Sequence, residues 1–410
     1  MASFWREVIL TSYPDKPITA HDPLTGTMLA HFSGSHSPRK GLTLAGNTLI
    51  AASHISATAA GFIKLYNWWS STALYCIQAP EPVAPLAATP DGSYLFSGGL
   101  SGCIHAFSLP SGDLCRSFQA HHQPVSCLIV NDDGSLLISG GDDGTIAIFP
   151  ILRLLDDASN EDDPAQLALS QFSAHDLPVT CIVAGPGGCN ATVVSSSLDC
   201  TFKLWSLADG VKLRTVQFPC AIWCVAADPS SSEVYAGGSD GRIYVVPLKV
   251  GGRKLRHTGA EVTAWEAEQN GAVMAVAMAN GHQNLVSASE DGIIKIWDME
   301  SRSVVRIIGR EGGALSDLIV VKGINVNNGA RRGDEVLPSN GRFCEREMGR
   351  NVNELREMDE CLSVAVKDRR RAIDKLEAVI DIYKRLLGLL LKEAKRENGK
   401  EEANKMDYFM

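Results

Sequence analysis

One stretch of this chain brings together three residue types that can hydrolyse a bond. His175, Ser195 and Asp199 are a base, a nucleophile and an orienting carboxylate, which is the set that acyl transfer uses. Trp205 stands at a fixed distance behind them: four residues separate Ser195 from Asp199, and six separate Asp199 from Trp205. The pattern also occurs upstream as His121, Ser139 and Asp143, with Phe149 at the Trp position. Downstream it occurs again as Ser287, Asp291 and Trp297, this time with no His before it. A catalytic centre rarely occurs twice along one chain. No nucleophile elbow and no His-Glu-x-x-His run accompanies these residues. The expectation is therefore no enzyme, no catalytic residue, no cofactor and no metal. Cys220 and Cys224 flank Trp223 in a strand-like context without a second ligand pair, which is a poor zinc pattern.

The repetition points to the elements that carry these residues. Ser287 to Asp298 reads as a hairpin: a short apolar strand, a tight turn at Glu290-Asp291-Gly292, and a second strand ending in Trp297-Asp298. Related hairpins start at Ser97, Ser139, Ser195 and Ala236, and a worn copy runs from Gly61 to Tyr66. Their turns fall at positions 60, 101, 143, 199, 240 and 291, at intervals of 41, 42, 56, 41 and 51. A period of about 40 residues with four short strands marks a β-propeller of WD type. In blades of this type the turn Asp, junction His, strand Ser and Trp form a hydrogen-bonded chain, which is the structural role expected for the residues above. The glycine pairs Gly98-Gly99, Gly140-Gly141 and Gly237-Gly238 precede no helix and no Lys-Ser/Thr, so they are no phosphate loop. They mark places where strands crowd together near the axis.

The two long intervals contain insertions. Residues 156–163 are acidic and 249–257 are basic, and both read as surface loops. The N-terminal strands, Glu7 to Ser12, Ile18 to His21 and Met28 to Phe32, supply three strands of a blade without its innermost one. That strand is expected at Ala314 to Val321, so that residues 7–32 pair with 314–321 and close a seven-bladed ring over 1–323. A linker over 324–341 follows, then a proline-free helical pattern over 342–398 and a frayed tail over 399–410. The helix has heptad positions Val352, Leu355, Asp359, Leu362, Val366, Arg369, Ile373, Leu376, Ile380, Tyr383, Leu387, Leu390 and Ala394. Eleven of the thirteen are apolar or Tyr, which predicts a coiled coil and a homodimer, with Asp359 and Arg369 as the polar exceptions. The predicted class is an all-β, seven-bladed propeller with a C-terminal α-helical coiled-coil extension.

The bulk properties narrow the function. The 410 residues carry 38 Lys+Arg against 47 Asp+Glu, a formal net charge of −9. The segment from Ile324 onward holds 18 basic and 17 acidic residues, so the propeller part is at −10. An acidic propeller is a poor non-specific binder of nucleic acid, and protein partners are expected. The basic insertion (Arg253, Lys254, Arg256) and the Arg369-Arg370-Arg371 run are the candidates for any RNA contact. The 11 cysteines, scattered without C-x-x-C pairs, fit a reducing compartment. No run approaches the roughly 18 apolar residues of a membrane span, and Met1 to Pro14 reads as a strand rather than a signal peptide.

More narrowly, the chain resembles the WD-repeat subunit family of the Rix complex, called Ipi-type in fungi and including the plant Root Initiation Defective proteins. The resemblance rests on Glu7-Val8-Ile9-Leu10, on Gly61 to Trp68, and on the insertion starting Phe149-Pro150-Ile151-Leu152-Arg153. It rests also on Ser316 to Val321 and on the C-terminal helix. It implies a nuclear (nucleoplasm or nucleolus), non-enzymatic scaffold in maturation of the large ribosomal subunit precursor, supporting removal of an internal spacer from pre-rRNA. It also implies helical-repeat partners, an AAA-type remodelling ATPase, the pre-ribosomal particle, and homodimerisation. Links to replication licensing in fungi and to meristem and root formation in plants belong to the same resemblance. The alternative is a substrate receptor of a cullin-type ubiquitin ligase. That motif wants a basic residue soon after Trp-Asp, whereas Met299 and Glu300 follow Trp297-Asp298 and Arg302 comes late.

Overall fold

The computed structural model describes residues 5–325, apart from 35–36, 47, 56–60, 69, 110, 156–166, 209, 229–232, 249–261, 266–270 and 310–313. The two charged insertions, the linker beyond 325, the heptad helix with its core positions and the tail therefore lie outside the described residues.

Seven four-stranded antiparallel sheets form the ring. The chain begins with β1 (Trp5–Ser12), β2 (Ile18–His21) and β3 (Met28–Phe32). Blade 1 is β4 (Leu42–Ala45), β5 (Leu49–Ile55), β6 (Gly61–Asn67) and β7 (Tyr75–Ala79). Blade 2 is β8 (Val83–Ala88), β9 (Tyr94–Gly99), β10 (Cys103–Ser108) and β11 (Leu114–Gln119). Blade 3 is β12 (Val125–Val130), β13 (Leu136–Gly141), β14 (Thr145–Pro150) and β15 (Ser170–Ser173), with the helical turn α1 (Ile151–Leu154) between the last two strands. Blade 4 is β16 (Val179–Ala184), β17 (Thr192–Ser197), β18 (Thr201–Ser206) and β19 (Lys212–Gln217). Blade 5 is β20 (Ile222–Ala227), β21 (Glu233–Gly238), β22 (Ile243–Pro247) and β23 (Thr263–Ala264). Blade 6 is β24 (Val273–Ala279), β25 (Asn284–Ser289), β26 (Ile294–Asp298) and β27 (Val304–Ile308). The seventh sheet has the order β28-β1-β2-β3, with β28 (Asp317–Asn325) as its inner strand.

The closing strand differs from expectation at both ends. It starts at Asp317, not Ala314, and it continues past 323 into the segment read as linker. Leu315 is buried in a core cluster and Ser316 donates its N–H to the Ser12 carbonyl at 2.9 Å, so these residues form a packed entry rather than ladder. At the far end Gly323 pairs with Arg6 and Asn325 with Trp5, across a register shift. A Gly and a polar Asn look like linker, but β1 is long enough to go on pairing with them.

The core lies in wedges between adjacent blades. Side chains of successive strand residues point to opposite faces, and here both faces are covered. On β14, Ala147 and Phe149 pack toward blade 2, while Ile146 and Ile148 pack toward blade 4. This explains why these strands read as nearly continuous apolar runs. The glycine pairs serve the same wedges. A Cβ on Gly98 would lie 2.6 Å from Val125 Cβ, one on Gly140 2.9 Å from Val179 Cγ1, and one on Gly237 2.7 Å from Val273 Cγ1. Each of these contacts is with the first residue of the next blade's inner strand, and at Gly140 and Gly237 the Sγ of Cys127 and Cys224 in their own blades comes closer still, at 2.7 and 2.5 Å, so the crowding is both between and within blades. After β14, α1 seals the wedge between blades 2 and 3 with Ile151 and Leu154, joined by Leu167, and leaves Leu152 81% exposed.

Candidate functional site

The chain His175–Ser195–Asp199–Trp205 is assembled in blade 4. His175 comes from the junction before β16, Ser195 from β17, Asp199 from the β17–β18 turn and Trp205 from β18. His175 Nδ1 lies 2.8 Å from Asp199 Oδ2, and Nε2 lies 2.8 Å from Ser195 Oγ. The Trp205 indole N–H donates to the same Ser195 oxygen at 2.9 Å. An indole only donates and a carboxylate only accepts, so the direction of the chain is fixed. Trp205 gives to Ser195, Ser195 gives to His175 Nε2, and His175 Nδ1–H gives to Asp199. The imidazole is neutral: burial pushes its pKa below the ordinary value and outweighs the pull of Asp199. Burial alone would raise Asp199, but the Thr201 hydroxyl, the His175 ring and the Thr201 N–H hold it below the usual carboxylate range. Thr201 Oγ1 donates at 2.6 Å and the Thr201 N–H at 3.0 Å.

The proton order is that of a hydrolase triad, yet the serine is out of reach. Ser195 is fully buried and its oxygen already accepts the Trp205 N–H, so no substrate carbonyl can approach.

Blade 3 repeats the scheme with one change. His121 Nε2 lies 2.8 Å from Ser139 Oγ, and Nδ1 lies 2.7 Å from Thr145 Oγ1 and 3.3 Å from Asp143. Phe149 packs edge-on against Phe118 at 5.0 Å and donates nothing. Blade 6 keeps the Trp–Ser link: the Trp297 N–H donates to Ser287 Oγ at 2.8 Å. Asp291 instead turns onto its own hairpin, accepting from the Ser289 hydroxyl and, at 3.1 Å, from the Ile293 N–H.

Two further fastenings escaped the sequence reading. In blade 2, Glu81 accepts the Ser101 N–H at 2.8 Å and the Ser101 hydroxyl at 2.5 Å, and contacts His105 Nε2 at 3.1 Å. His105 Nδ1 meets Ser117 Oγ at 2.9 Å. In blade 5, the Tyr244 hydroxyl donates to Asp240 at 2.5 Å, and Cys220 Sγ lies 3.8 Å from the same hydroxyl. A signal was present. His105 and Tyr244 occupy the position directly across the ladder from Ser97 and Ala236, as Ala147 and Lys203 lie across from Ser139 and Ser195. A polar ring at that position replaces the junction His. Ser97, at the aligned serine position, is fully buried and its Oγ has no hydrogen-bond partner.

All these residues fasten turns to neighbouring strands. Among the described residues no group of three or more His, Cys, Asp or Glu could hold a metal ion.

Comparison with known proteins agrees with this architecture. The model of the WD domain, G-beta repeat, matches residues 112–149, 167–206, 210–246 and 259–298. The chain is 34% identical over 326 residues to Protein ROOT INITIATION DEFECTIVE 3 of Arabidopsis thaliana, covering 78% of this chain and 73% of that one. It is 28% identical to human WD repeat-containing protein 18, covering 77% and 72% of the two chains. It is 27% identical to the pre-rRNA-processing protein crb3/ipi3 of Schizosaccharomyces pombe, covering 70% and 71%. A chain in a crystal structure of the mitotic checkpoint complex superposes with a TM-score of 0.59 at 16% identity, covering 71% of this chain and 84% of that chain, a likeness of fold alone. A seven-bladed ring with this order of motifs and these relatives places the chain in the Ipi-type family of WD-repeat subunits of the Rix complex.

Proposed function

We propose that this chain is a non-enzymatic scaffold in ribosome biogenesis, acting in the nucleus within a Rix-type complex. It supports removal of an internal spacer from pre-rRNA and maturation of the large ribosomal subunit precursor. The observation that carries this reading is similarity along most of the ring to relatives that include a pre-rRNA-processing protein. The buried, fully engaged Ser-His-Asp chains support a structural rather than catalytic use of the residues that look most reactive.

Scaffolding requires partners. The propeller offers its faces and loops to helical-repeat proteins, to an AAA-type remodelling ATPase and to the pre-ribosomal particle. The heptad segment at 342–398 pairs two copies. The propeller's net charge of −10 argues that its contacts to the particle run mainly through protein.

The test is affinity purification of the intact tagged chain at low salt, with depletion of the chain in parallel. Large-subunit assembly factors and spacer-containing pre-rRNA in the eluate, with that precursor accumulating on depletion, are expected. A cullin adaptor in the eluate, with no change in pre-rRNA on depletion, would overturn the reading in favour of a ubiquitin-ligase receptor.

A further inference from the structure

An arginine recurs on the outer strands of blades 2, 4 and 6, and each time it reaches into the next blade. Arg116 on β11, Arg214 on β19 and Arg306 on β27 stand fifteen residues after the turn positions 101, 199 and 291. They hold the same place in the ladder, across from Ala106, Leu204 and Ile296 on the third strands. Arg116 donates to the Arg153 carbonyl of blade 3 at 3.4 Å, and Arg214 to the Pro247 carbonyl of blade 5 at 3.1 Å. Arg306 donates to the Thr25 carbonyl of the closing blade at 2.7 Å. An arginine suits this place because its stem covers apolar surface while its head supplies donors at the rim.

Blade 1 departs from this scheme. Fifteen residues after its turn position 60 stands Tyr75, across from Leu65 and 63% exposed. The carbonyl that an arginine would reach has an equivalent in blade 2. Ser111 follows Ile104 by seven residues, as Arg153 follows Ile146 and Thr25 follows Ile18, and each of these isoleucines pairs with an outer-strand Phe. Between blades 1 and 2 lies a cleft of about 150 Å³, lined by the buried Leu65, Ile77 and Leu109 and by Tyr75, Ser111 and Gly112. Gly112, with a φ of 75°, lets the blade 2 turn come close: a Cβ there would lie 3.3 Å from Ile77 Cγ1. The same turn carries the exposed Asp113, whose N–H donates to Ser111 Oγ at 3.3 Å. Where blade 3 has Ser170 in place of the arginine, blade 4 closes up: a Cβ on Gly210 would lie 3.3 Å from Ser170 Oγ.

We propose that the cleft between blades 1 and 2 is a docking slot for one arginine side chain of a partner protein. The ring's own junctions show what fits such a place: an apolar stem between two blades and a guanidinium on a carbonyl of the second. In the slot the partner's stem lies along Leu65, Ile77 and Leu109. Its guanidinium donates to the Ser111 carbonyl and stacks on the Tyr75 ring, as Arg39 stacks on the Trp223 ring at 4.6 Å. Asp113 supplies the complementary charge. Lysine has no planar head to stack or to fork onto a carbonyl, so it is the weaker ligand. The slot stands on this geometry alone, and its failure would leave the role in ribosome biogenesis untouched.

The test uses the intact chain and end-blocked pentapeptides Gly-Ser-Xaa-Ser-Gly at millimolar concentration, with Arg, Lys, citrulline or Leu as the central residue. The readout is the alkylation rate of Cys76, which is exposed and lines the cleft, against that of the exposed Cys189 in blade 4. The Arg peptide should slow Cys76 and leave Cys189 unchanged. Citrulline keeps the shape of arginine without its charge and should bind about tenfold more weakly. Tyr75→Ala should weaken binding of the Arg peptide about two- to fivefold. Tyr75→Arg should rebuild the contact of blades 2, 4 and 6, so that the Arg peptide no longer protects Cys76 and the melting temperature rises. Three results overturn the proposal. No peptide protects Cys76; or the Lys, citrulline or Leu peptide protects it as well as the Arg peptide; or the Arg peptide protects Tyr75→Arg as strongly as the parent. The first two are read on the unsubstituted chain, so the test stands even if a variant fails to fold.

Discussion

Replacing one serine with alanine should have opposite effects in two blades. Ser195 Oγ accepts from Trp205 at 2.9 Å and donates to His175 at 2.8 Å, all inside the protein. Ser195→Ala removes little volume but leaves an indole N–H and an imidazole nitrogen without partners. Each orphaned buried group costs about 1–3 kcal/mol, so the variant should lose about 2–5 kcal/mol. Ser97, at the aligned position in blade 2, has no partner to lose. Ser97→Ala removes an unsatisfied buried hydroxyl and should be neutral or gain about 1 kcal/mol. Adding Trp205→Phe to Ser195→Ala removes one of the two orphans, and it recreates the aromatic that blade 3 uses at Phe149. The Phe ring can keep the contact with Phe172, which Trp205 makes at 4.6 Å. The double variant should therefore be less destabilised than the sum of the single ones, with a coupling of about 1–2 kcal/mol. Urea unfolding followed by far-UV circular dichroism measures the parent, the three single variants (Trp205→Phe included) and the double variant. Additivity within about 0.5 kcal/mol, or equal losses for Ser195→Ala and Ser97→Ala, would refute the hydrogen-bond chain as the source of stability.

Gly140→Ala puts a Cβ 2.9 Å from Val179 Cγ1 and 2.7 Å from Cys127 Sγ, and overpacking of this kind should cost about 1–3 kcal/mol in the same assay. Adding Val179→Ala should recover part of that loss. Stability should fall as pH drops below 6.5, because His121 and His175 are held neutral in the fold but protonate in the unfolded chain at their ordinary value. The carboxyls of Asp143 and Asp199, held low in the fold, extend the loss below pH 3.8. His175→Gln should flatten the upper part of that profile, which thermal melts between pH 5 and 7.5 would record. Replacing Leu376 and Ile380 with Asp should halve the mass seen by light scattering and leave the strand signal in circular dichroism unchanged. A dimer that survives the change would remove the heptad segment from the interface.

Much of the ring was legible because a propeller repeats. The hairpin turns read at 101, 143, 199, 240 and 291 each lie between the second and third strands of a blade. The start of β28 was misplaced because Ala314-Leu315-Ser316 is apolar enough to pass for strand, and only the register with β1 decides where pairing starts. The fastenings with His were visible because two blades keep the same residues at the same spacing. Those in blades 2 and 5 were not, because Glu81 and Tyr244 do the same work from other positions, and a pattern fixed to residue type cannot see a substitute. The contact of Lys40 Nζ with Cys181 Sγ, at 3.5 Å, was invisible for a different reason. The two lie 141 residues apart, and no local period connects them.

The closing blade also sets a schedule. Ser12 and Ser316, whose hydroxyls lie 3.1 Å apart, are separated by 304 residues. At a synthesis rate of about 5–20 residues per second, β1 waits roughly 15–60 s for its partner to be made. Throughout that interval β1–β3 present an open edge with apolar faces, the kind of surface that pairs with whatever strand is nearest. On the ribosome this nascent chain is therefore a natural client for a chaperone that shields its first 32 residues. A message truncated before Asp317 yields six blades and an exposed edge, a product for the cell to degrade rather than a smaller working ring.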